Sequence, residues 1–94
     1  MRYYDRRGNP ITMDQWANSL ADNTVAKTTI GVSGSTVDVS TVWLGLDHSF
    51  GDGPPLIFET MVFDGNLDQE MERYSTESEA LVGHAAMCER VRAS

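Results

Sequence analysis

Residues 41–63, TVWLGLDHSFGDGPPLIFETMVF, constrain the fold of this chain more than any other stretch. Two runs rich in valine, leucine, isoleucine and phenylalanine flank a segment that contains glycine and proline, which is the pattern of two β-strands and their connection. The second run, residues 56–63, is apolar on both of its alternating faces. The sequence therefore predicts two neighbouring apolar strands, over residues 36–46 and 56–63, joined by a loop at residues 47–55.

Further strands are predicted on either side of this pair. Residues 25–32 are rich in valine, isoleucine and threonine, and a compact turn at residues 33–35 joins them to the next strand as a β-hairpin. In that next strand the alternation of apolar and polar residues fails from Val42 onwards, which indicates either a bulge or a strand covered on both faces. Short strands are also expected at residues 1–4 and at residues 70–74, where charged residues would protect a sheet edge.

Two capping boxes predict the helices. Thr12 and Gln15 begin a short helix over residues 13–21, in which Trp16 is the expected core anchor. Thr76 and Glu79 begin a longer helix over residues 77–92. The side chains expected to form the buried stripe of this second helix are Leu81, His84, Ala85, Cys88 and Val91, backed by Ala80 and Met87.

Together these elements predict a single α+β domain over residues 1–94. Its sheet should be an antiparallel meander of three or four strands, with a short N-terminal helix and a longer C-terminal helix on one face. Because residues 56–63 are apolar on both faces, two short helices leave apolar surface to be covered. We therefore expect a homo-oligomer, with a twofold dimer favoured.

Charge and composition favour some classes of partner over others. The 94 residues carry seven basic and fourteen acidic side chains, for a formal net charge of −7. Binding to a phosphate backbone needs clustered basic residues, so no nucleic-acid partner is expected. The sequence contains no apolar run near the ~20 residues of a membrane span, its polar opening does not predict a signal peptide, and its single cysteine fits a reducing cytosol.

The polar residues that most suggest acid–base catalysis are Asp47, His48 and Glu59. Histidine shuttles protons near neutral pH, and a neighbouring carboxylate could orient it, so convergence of the three would suggest a hydrolase. Alternation leaves open whether their side chains share a face. We rank catalysis below a structural role, in which Glu59 holds the backbone amides of the loop and His48 helps to fix the same loop.

No cofactor or metal is expected. His84 and Cys88 lie one helical turn apart, but two ligands are too few, and their position on the apolar stripe favours core residues. The glycines at 51 and 53 lack the lysine and the strand-to-helix context of a phosphate loop.

The loop at residues 47–55 is the expected binding surface. Phe50 lies at its centre, where an aromatic side chain could anchor a partner, and the prolines at 54 and 55 limit the entropy lost on binding. The alternative is that Phe50 folds back over Trp43 as a lid on the core. In a further alternative, Trp43, Phe50 and an arginine line a pocket for a small ligand at a subunit boundary.

Three stretches, together with YDRRGNPI at 4–11, carry a resemblance: WLGLDHSF at 43–50, GPPLIFETMVF at 53–63 and YSTESEA at 74–80. The chain resembles a group of short proteins encoded by actinobacterial phages and related bacterial genomes. The likeness covers most of the chain, although Asp64 stands where the group tends to have a glycine. The resemblance implies a small accessory protein in a bacterial cytoplasm, and no activity or site residues are carried over.

The leading expectation is a non-enzymatic phage accessory protein that binds a host component, including host defence machinery, through a protein–protein interaction. The first alternative is a sponge that sequesters a small, nucleotide-like signalling molecule. A structural component of the virion and a hydrolase that uses Asp47, His48 and Glu59 are the remaining alternatives. The expected binding residues are Trp43, Asp47, His48, Phe50 and Glu59.

Overall fold

A four-stranded antiparallel sheet, in the order β3-β4-β5-β6, is the centre of the computed structural model, which describes residues 2–49 and 51–94. A two-stranded hairpin and a short helix precede the sheet, and a long helix follows it. The elements are β1 (Tyr3–Tyr4), β2 (Pro10–Ile11), α1 (Met13–Ser19) with a 3-10 turn (Leu20–Asp22), β3 (Thr24–Val32), β4 (Ser35–Trp43), β5 (Phe58–Phe63), β6 (Met71–Tyr74) and α2 (Glu77–Ala93). The predicted α+β class and meander are confirmed.

The turn between β3 and β4 is a two-residue hairpin turn. Ser33 and Gly34 have φ angles of 51° and 81°, so both central residues adopt the left-handed conformation of a type I′ turn. Val32 therefore lies directly opposite Ser35. The β3–β4 register follows from this pair as far as Ala26, which lies opposite Thr41.

The bulge that the sequence allowed in β4 lies instead on the neighbouring strand. A bulge lies on β3 between Thr24 and Ala26, while β4 keeps strict alternation to its end at Trp43. The expectation that this strand continues to residue 46 was wrong. Gly45, with a φ of 71°, turns the chain just after Trp43, and a Cβ at this position would collide with both tryptophan rings.

Both predicted capping boxes are present. Thr12 Oγ1 accepts a hydrogen bond from the Gln15 amide at 3.2 Å, and Gln15 Oε1 accepts one from the Thr12 amide at 2.9 Å. Thr76 and Glu79 exchange the same two bonds at 3.1 Å each. These bonds satisfy amides that a helix start otherwise leaves unpaired, so both helices begin where predicted. Neither described helix is long and apolar enough to cross a membrane.

Helix α2 is rotated relative to its predicted apolar stripe. Leu81 and Ala85 were expected to be buried, but both are exposed, Leu81 to 49%. Gly83 lies against the Tyr74 hydroxyl, where any Cβ would collide, and this close approach fixes which side of the helix meets the sheet. The residues that α2 buries are Ala80, His84, Met87, Cys88 and Val91.

The core consists of two apolar clusters separated by a polar layer. The first cluster contains Ile30, Val37, Val39, Val62, Met87, Cys88 and Val91. The second contains Trp43, Ile57, Phe58 and Ala80. Between them, the Thr41–Thr60 pair lies in the sheet between the Val39–Val62 and Trp43–Phe58 pairs.

His84 completes the polar layer from α2. Its Nε2 lies 2.9 Å from Thr28 Oγ1, and its Nδ1 lies 2.7 Å from Thr41 Oγ1, which in turn bonds to Thr60 Oγ1. A neutral imidazole has one donor and one acceptor nitrogen, and threonine hydroxyls can serve either. Burial lowers the pKa of His84 below its usual 6.5, which keeps the ring in this neutral form.

The N-terminal segment covers the same face of the sheet as α2. Trp43 Nε1 donates to the Tyr4 carbonyl at 3.1 Å, and Trp16 Nε1 donates to the Leu44 carbonyl at 2.8 Å. Tyr4, Ile11 and Trp16 pack against the cluster that contains Ala80 of α2. Trp16 is thus the core anchor that the sequence predicted, and the described residues place no helix or strand over the opposite face of the sheet.

Protonation of His84 should destabilise the fold. Because its pKa is lower in the folded than in the unfolded chain, its stabilising contribution is present above about pH 6.5 and is lost as the pH falls through the folded pKa. We expect the free energy of unfolding to fall between about pH 7 and pH 5, with a slope of at most ~1.36 kcal/mol per pH unit. Denaturant unfolding at a series of pH values measures this slope, and His84→Gln should lose it.

The matched control for this titration is His48→Gln, which removes the other histidine and leaves the threonine network intact. Equal loss of the slope in both variants would contradict the assignment to His84.

Candidate functional site

The sheet surface opposite α2, here called the open face, is covered by no helix or strand among the described residues. Because side chains alternate along a strand and directly paired residues share a face, the register identifies its members. They are Lys27, Thr29 and Gly31 of β3; Thr36, Asp38, Ser40 and Val42 of β4; Glu59, Met61 and Phe63 of β5; and Met71 and Arg73 of β6.

Glu59 and Arg73 form an ion pair on the open face. They lie directly opposite each other on β5 and β6, with 3.1 Å between Glu59 Oε2 and Arg73 Nε. The Glu59 side chain is 16% exposed and that of Arg73 is 31% exposed. The expectation that Glu59 holds the amides of the 47–55 loop was wrong, because the register of β5 directs its carboxylate to Arg73.

Apolar side chains lie beside this ion pair. Met61 is directly opposite Met71, and Phe63 follows two residues later on the same face. Phe63 is 41% exposed and Met71 is 38% exposed, which are high values for large apolar side chains in a sheet. The open face therefore combines an oriented ion pair with a patch of flexible and aromatic side chains.

Asp47, rather than Glu59, closes the 47–55 loop. Its Oδ1 accepts hydrogen bonds from the Ser49 amide at 2.8 Å and from the Leu56 amide at 3.0 Å. The His48 amide donates to the Leu56 carbonyl at 3.1 Å, so the two ends of the loop are joined. Partial burial raises the pKa of Asp47, but the hydrogen bonds from Ser49 and Leu56 outweigh this effect and lower it overall.

A polar cleft of about 400 Å³ lies beside the loop. Its walls are formed by Arg2, Tyr4, Asp47, Gly51, Asp52, Gly53 and Pro55. One arginine faces two carboxylates in this cleft, so the described walls offer an anionic ligand little net attraction.

The candidate catalytic residues have separate partners. Glu59 bonds to Arg73 on the open face, while the Asp47 carboxylate bonds to loop amides. His48 takes part through its backbone amide. Among the described residues no hydrogen bond joins any two of the three side chains, so this arrangement does not assemble the acid–base set that a hydrolase needs.

Trp43 belongs to the core. It is 2% exposed and packs against Gly45, so it has almost no surface to offer a ligand. Phe50 lies outside the described residues, and its two alternative roles stay predictions. His84 and Cys88 are buried core residues, as expected, and within residues 2–49 and 51–94 no group of three or more histidine, cysteine, aspartate or glutamate side chains could hold a metal ion.

Comparison with known proteins does not assign the chain to a family. No family model, no curated protein and no solved structure matches the chain. The resemblance to actinobacterial-phage proteins therefore stays a prediction, and function has to be argued from the surfaces themselves.

The Glu59–Arg73 pair should make a modest contribution to stability. Cross-strand ion pairs with partial exposure contribute roughly 0.2–1 kcal/mol, because solvent screens them. A double-mutant cycle with Glu59→Ala and Arg73→Ala, measured by denaturant unfolding, should give a coupling energy in this range. A coupling energy of zero would contradict a structural role for the pair.

Loss of the Asp47 carboxylate should open the loop. In Asp47→Ala the amides of Ser49 and Leu56 lose their acceptor, and a hydrogen bond to a charged group contributes about 1.5 kcal/mol. Hydrogen exchange measured by NMR should show the Leu56 amide exchanging roughly tenfold faster, through local opening of the loop. Asp47→Asn retains an acceptor oxygen and is the matched control; equal acceleration in both variants would argue against this role.

Proposed function

We propose that this chain is a non-enzymatic binding protein that contacts another protein through its open face. The observation that carries the proposal is the exposure of Phe63 and Met71 beside the oriented Glu59–Arg73 pair. Aromatic, methionine and arginine side chains are enriched at protein interfaces. A patch of this composition on a face that no described element covers favours a binding surface.

The shape of the open face favours a protein over a small molecule. Small-molecule sites are concave and surround most of the ligand. The open face is one side of a twisted sheet, with side chains from four adjacent strands, and such a surface suits a broad contact. Methionines adapt their shape to a partner, while Phe63 supplies a more rigid anchor.

The identity of the partner is proposed from the resemblance to actinobacterial-phage proteins. On that basis the partner is a protein of the bacterial host, including components of its defence machinery. The acidic charge of −7 agrees with this choice, because a nucleic acid would be repelled.

The alternatives receive less support from the described geometry. The sponge hypothesis uses Trp43 as a ligand platform, and Trp43 is 2% exposed. The hydrolase hypothesis needs Asp47, His48 and Glu59 to act together, and their hydrogen bonds lead elsewhere. A virion component would also use an exposed apolar patch, so the identity of the captured protein decides between that role and host binding.

Affinity capture from a lysate of an actinobacterial host tests the proposal. The variant Phe63→Thr/Met71→Thr replaces the two most exposed apolar side chains of the patch with residues that suit a strand. We expect it to lose at least tenfold in affinity for the protein that the wild-type chain captures, with little change in melting temperature. Titration with the purified partner measures the affinity.

The matched control is Val82→Thr, which changes a 72% exposed residue on α2, the helix that packs on the opposite face of the sheet. Loss of capture with Val82→Thr, together with unchanged capture by the open-face variant, would move the binding surface to the helix. Release of a small molecule from the heat-denatured protein, with no captured protein, would favour the sponge.

A further inference from the structure

Strand β3 presents a long unpaired edge. It is nine residues long and stands at one end of the sheet order, so its outer side has no pairing strand among the residues that the structure describes. The opposite edge, β6, has only four residues, two of them charged. Proteins usually protect sheet edges with short strands, charges or bulges. In β3 the bulge lies at the start of the strand and Lys27 is the one charged residue, so residues 28–32 form a regular, uncharged edge.

The hairpin turn determines which groups face this edge. Val32 and Ser35 flank a type I′ turn and therefore form a hydrogen-bonded pair. Alternation along an antiparallel ladder then directs the backbone N–H and C=O groups of Lys27, Thr29 and Gly31 away from β4. These three residues form a straight row of donors and acceptors beyond the bulge at the start of β3.

Neither the backbone conformation nor the packing within a single chain requires a glycine at position 31. A glycine inside a strand costs roughly 0.5–1 kcal/mol relative to alanine. Its φ is not positive, and a Cβ built on it would have nothing within 4 Å. Glycine in a strand interior often marks the close approach of another chain, so the space above Gly31 is available to a group from outside.

Lys27 and Asp38 are complementary charges near this space. Lys27 is the only lysine of the chain and makes no ion pair with the other described residues. The Asp38 carboxylate is held by a hydrogen bond that Thr29 Oγ1 donates at 2.6 Å. Asp38 lies on β4, about 4.8 Å from the edge row, directly opposite Thr29 and diagonal to Gly31, whose own partner on β4 is Thr36.

We propose that β3 pairs with β3 of a second copy of this chain about a twofold axis at Thr29, and that Lys27 of each copy passes diagonally over Gly31 of the other toward Asp38. Antiparallel pairing about this axis places Thr29 opposite Thr29 and Lys27 opposite Gly31. About six backbone hydrogen bonds then join the two edge rows. The missing side chain at Gly31 leaves room for the lysine methylenes, and the two sheets become one continuous sheet of eight strands.

This pairing is independent of the proposed function and differs from the dimer expected from the apolar composition of residues 56–63. A twofold axis makes the interface self-complementary, because the donors of one copy meet the acceptors of the other. The charge pair matters because two chains of −7 repel each other elsewhere. A second copy is therefore the occupant that the Lys27, Gly31 and Asp38 positions favour.

Sedimentation velocity with charge variants tests the pairing. At high concentration the wild-type chain should sediment as a dimer, with a mass of twice 10.4 kDa. Lys27→Glu places like charges together and should weaken the dimer at least tenfold, while Lys27→Glu/Asp38→Lys restores the attraction and should recover most of the lost affinity. Arg92→Glu makes the same change of charge at a 52% exposed side chain on α2 and should leave the dimer unchanged.

Hydrogen exchange identifies the edge directly. On dilution to the monomer, the amides of Lys27, Thr29 and Gly31 should exchange faster, while those of Thr28 and Ile30 stay protected by β4. A mass of 10.4 kDa at every concentration would overturn the proposal. So would a dimer that survives Lys27→Glu, a dimer weakened equally by Arg92→Glu, or protection of the three amides only by an extended peptide from another protein.

Discussion

The hydrogen bonds of His84 join α2 to two strands of the sheet in a core that is otherwise apolar on both sides. An imidazole buried without partners costs several kcal/mol, and here both ring nitrogens have threonine partners. Rotation of α2 by one residue, about 100°, would leave the ring and the Thr41–Thr60 pair unsatisfied. The polar layer therefore selects one position of the helix, and the two apolar clusters, which tolerate small rearrangements, pack around it.

The sequence predicted the positions of the helices and strands better than it predicted which of their faces are buried. Capping boxes and runs of β-branched residues are local signals, so α2 was correctly expected to begin at Glu77 and the strands were found near their true limits. The buried side of α2 depends on non-local contacts, namely His84 with Thr28 and Gly83 with Tyr74. Hydropathy favoured Leu81 for the core, but these contacts leave it exposed.

The contacts of the candidate site were even harder to predict from the sequence, because most of them are non-local. Alternation could place Glu59 on one face of β5, but its partner Arg73 lies fourteen residues away and is defined only by the register of β6. The role of Asp47 had a local signal that was not used, because an aspartate two residues before a bonded amide is typical of an Asx turn. Surfaces formed by several strands therefore require the register, whereas turns and caps can be predicted from short sequence patterns.

The open face and the unpaired edge of β3 share residues. The proposed dimer therefore affects how the proposed binding surface is presented. Lys27, Thr29 and Gly31 belong to the open face through their side-chain positions and to the edge through their backbone groups. A twofold axis perpendicular to the sheet would keep both α2 helices on one side and join the two open faces on the other. The dimer would then present two copies of the patch around Phe63, related by the same axis. A partner with matching twofold symmetry could engage both copies, and the second contact would be intramolecular, which raises the overall affinity without any new type of contact.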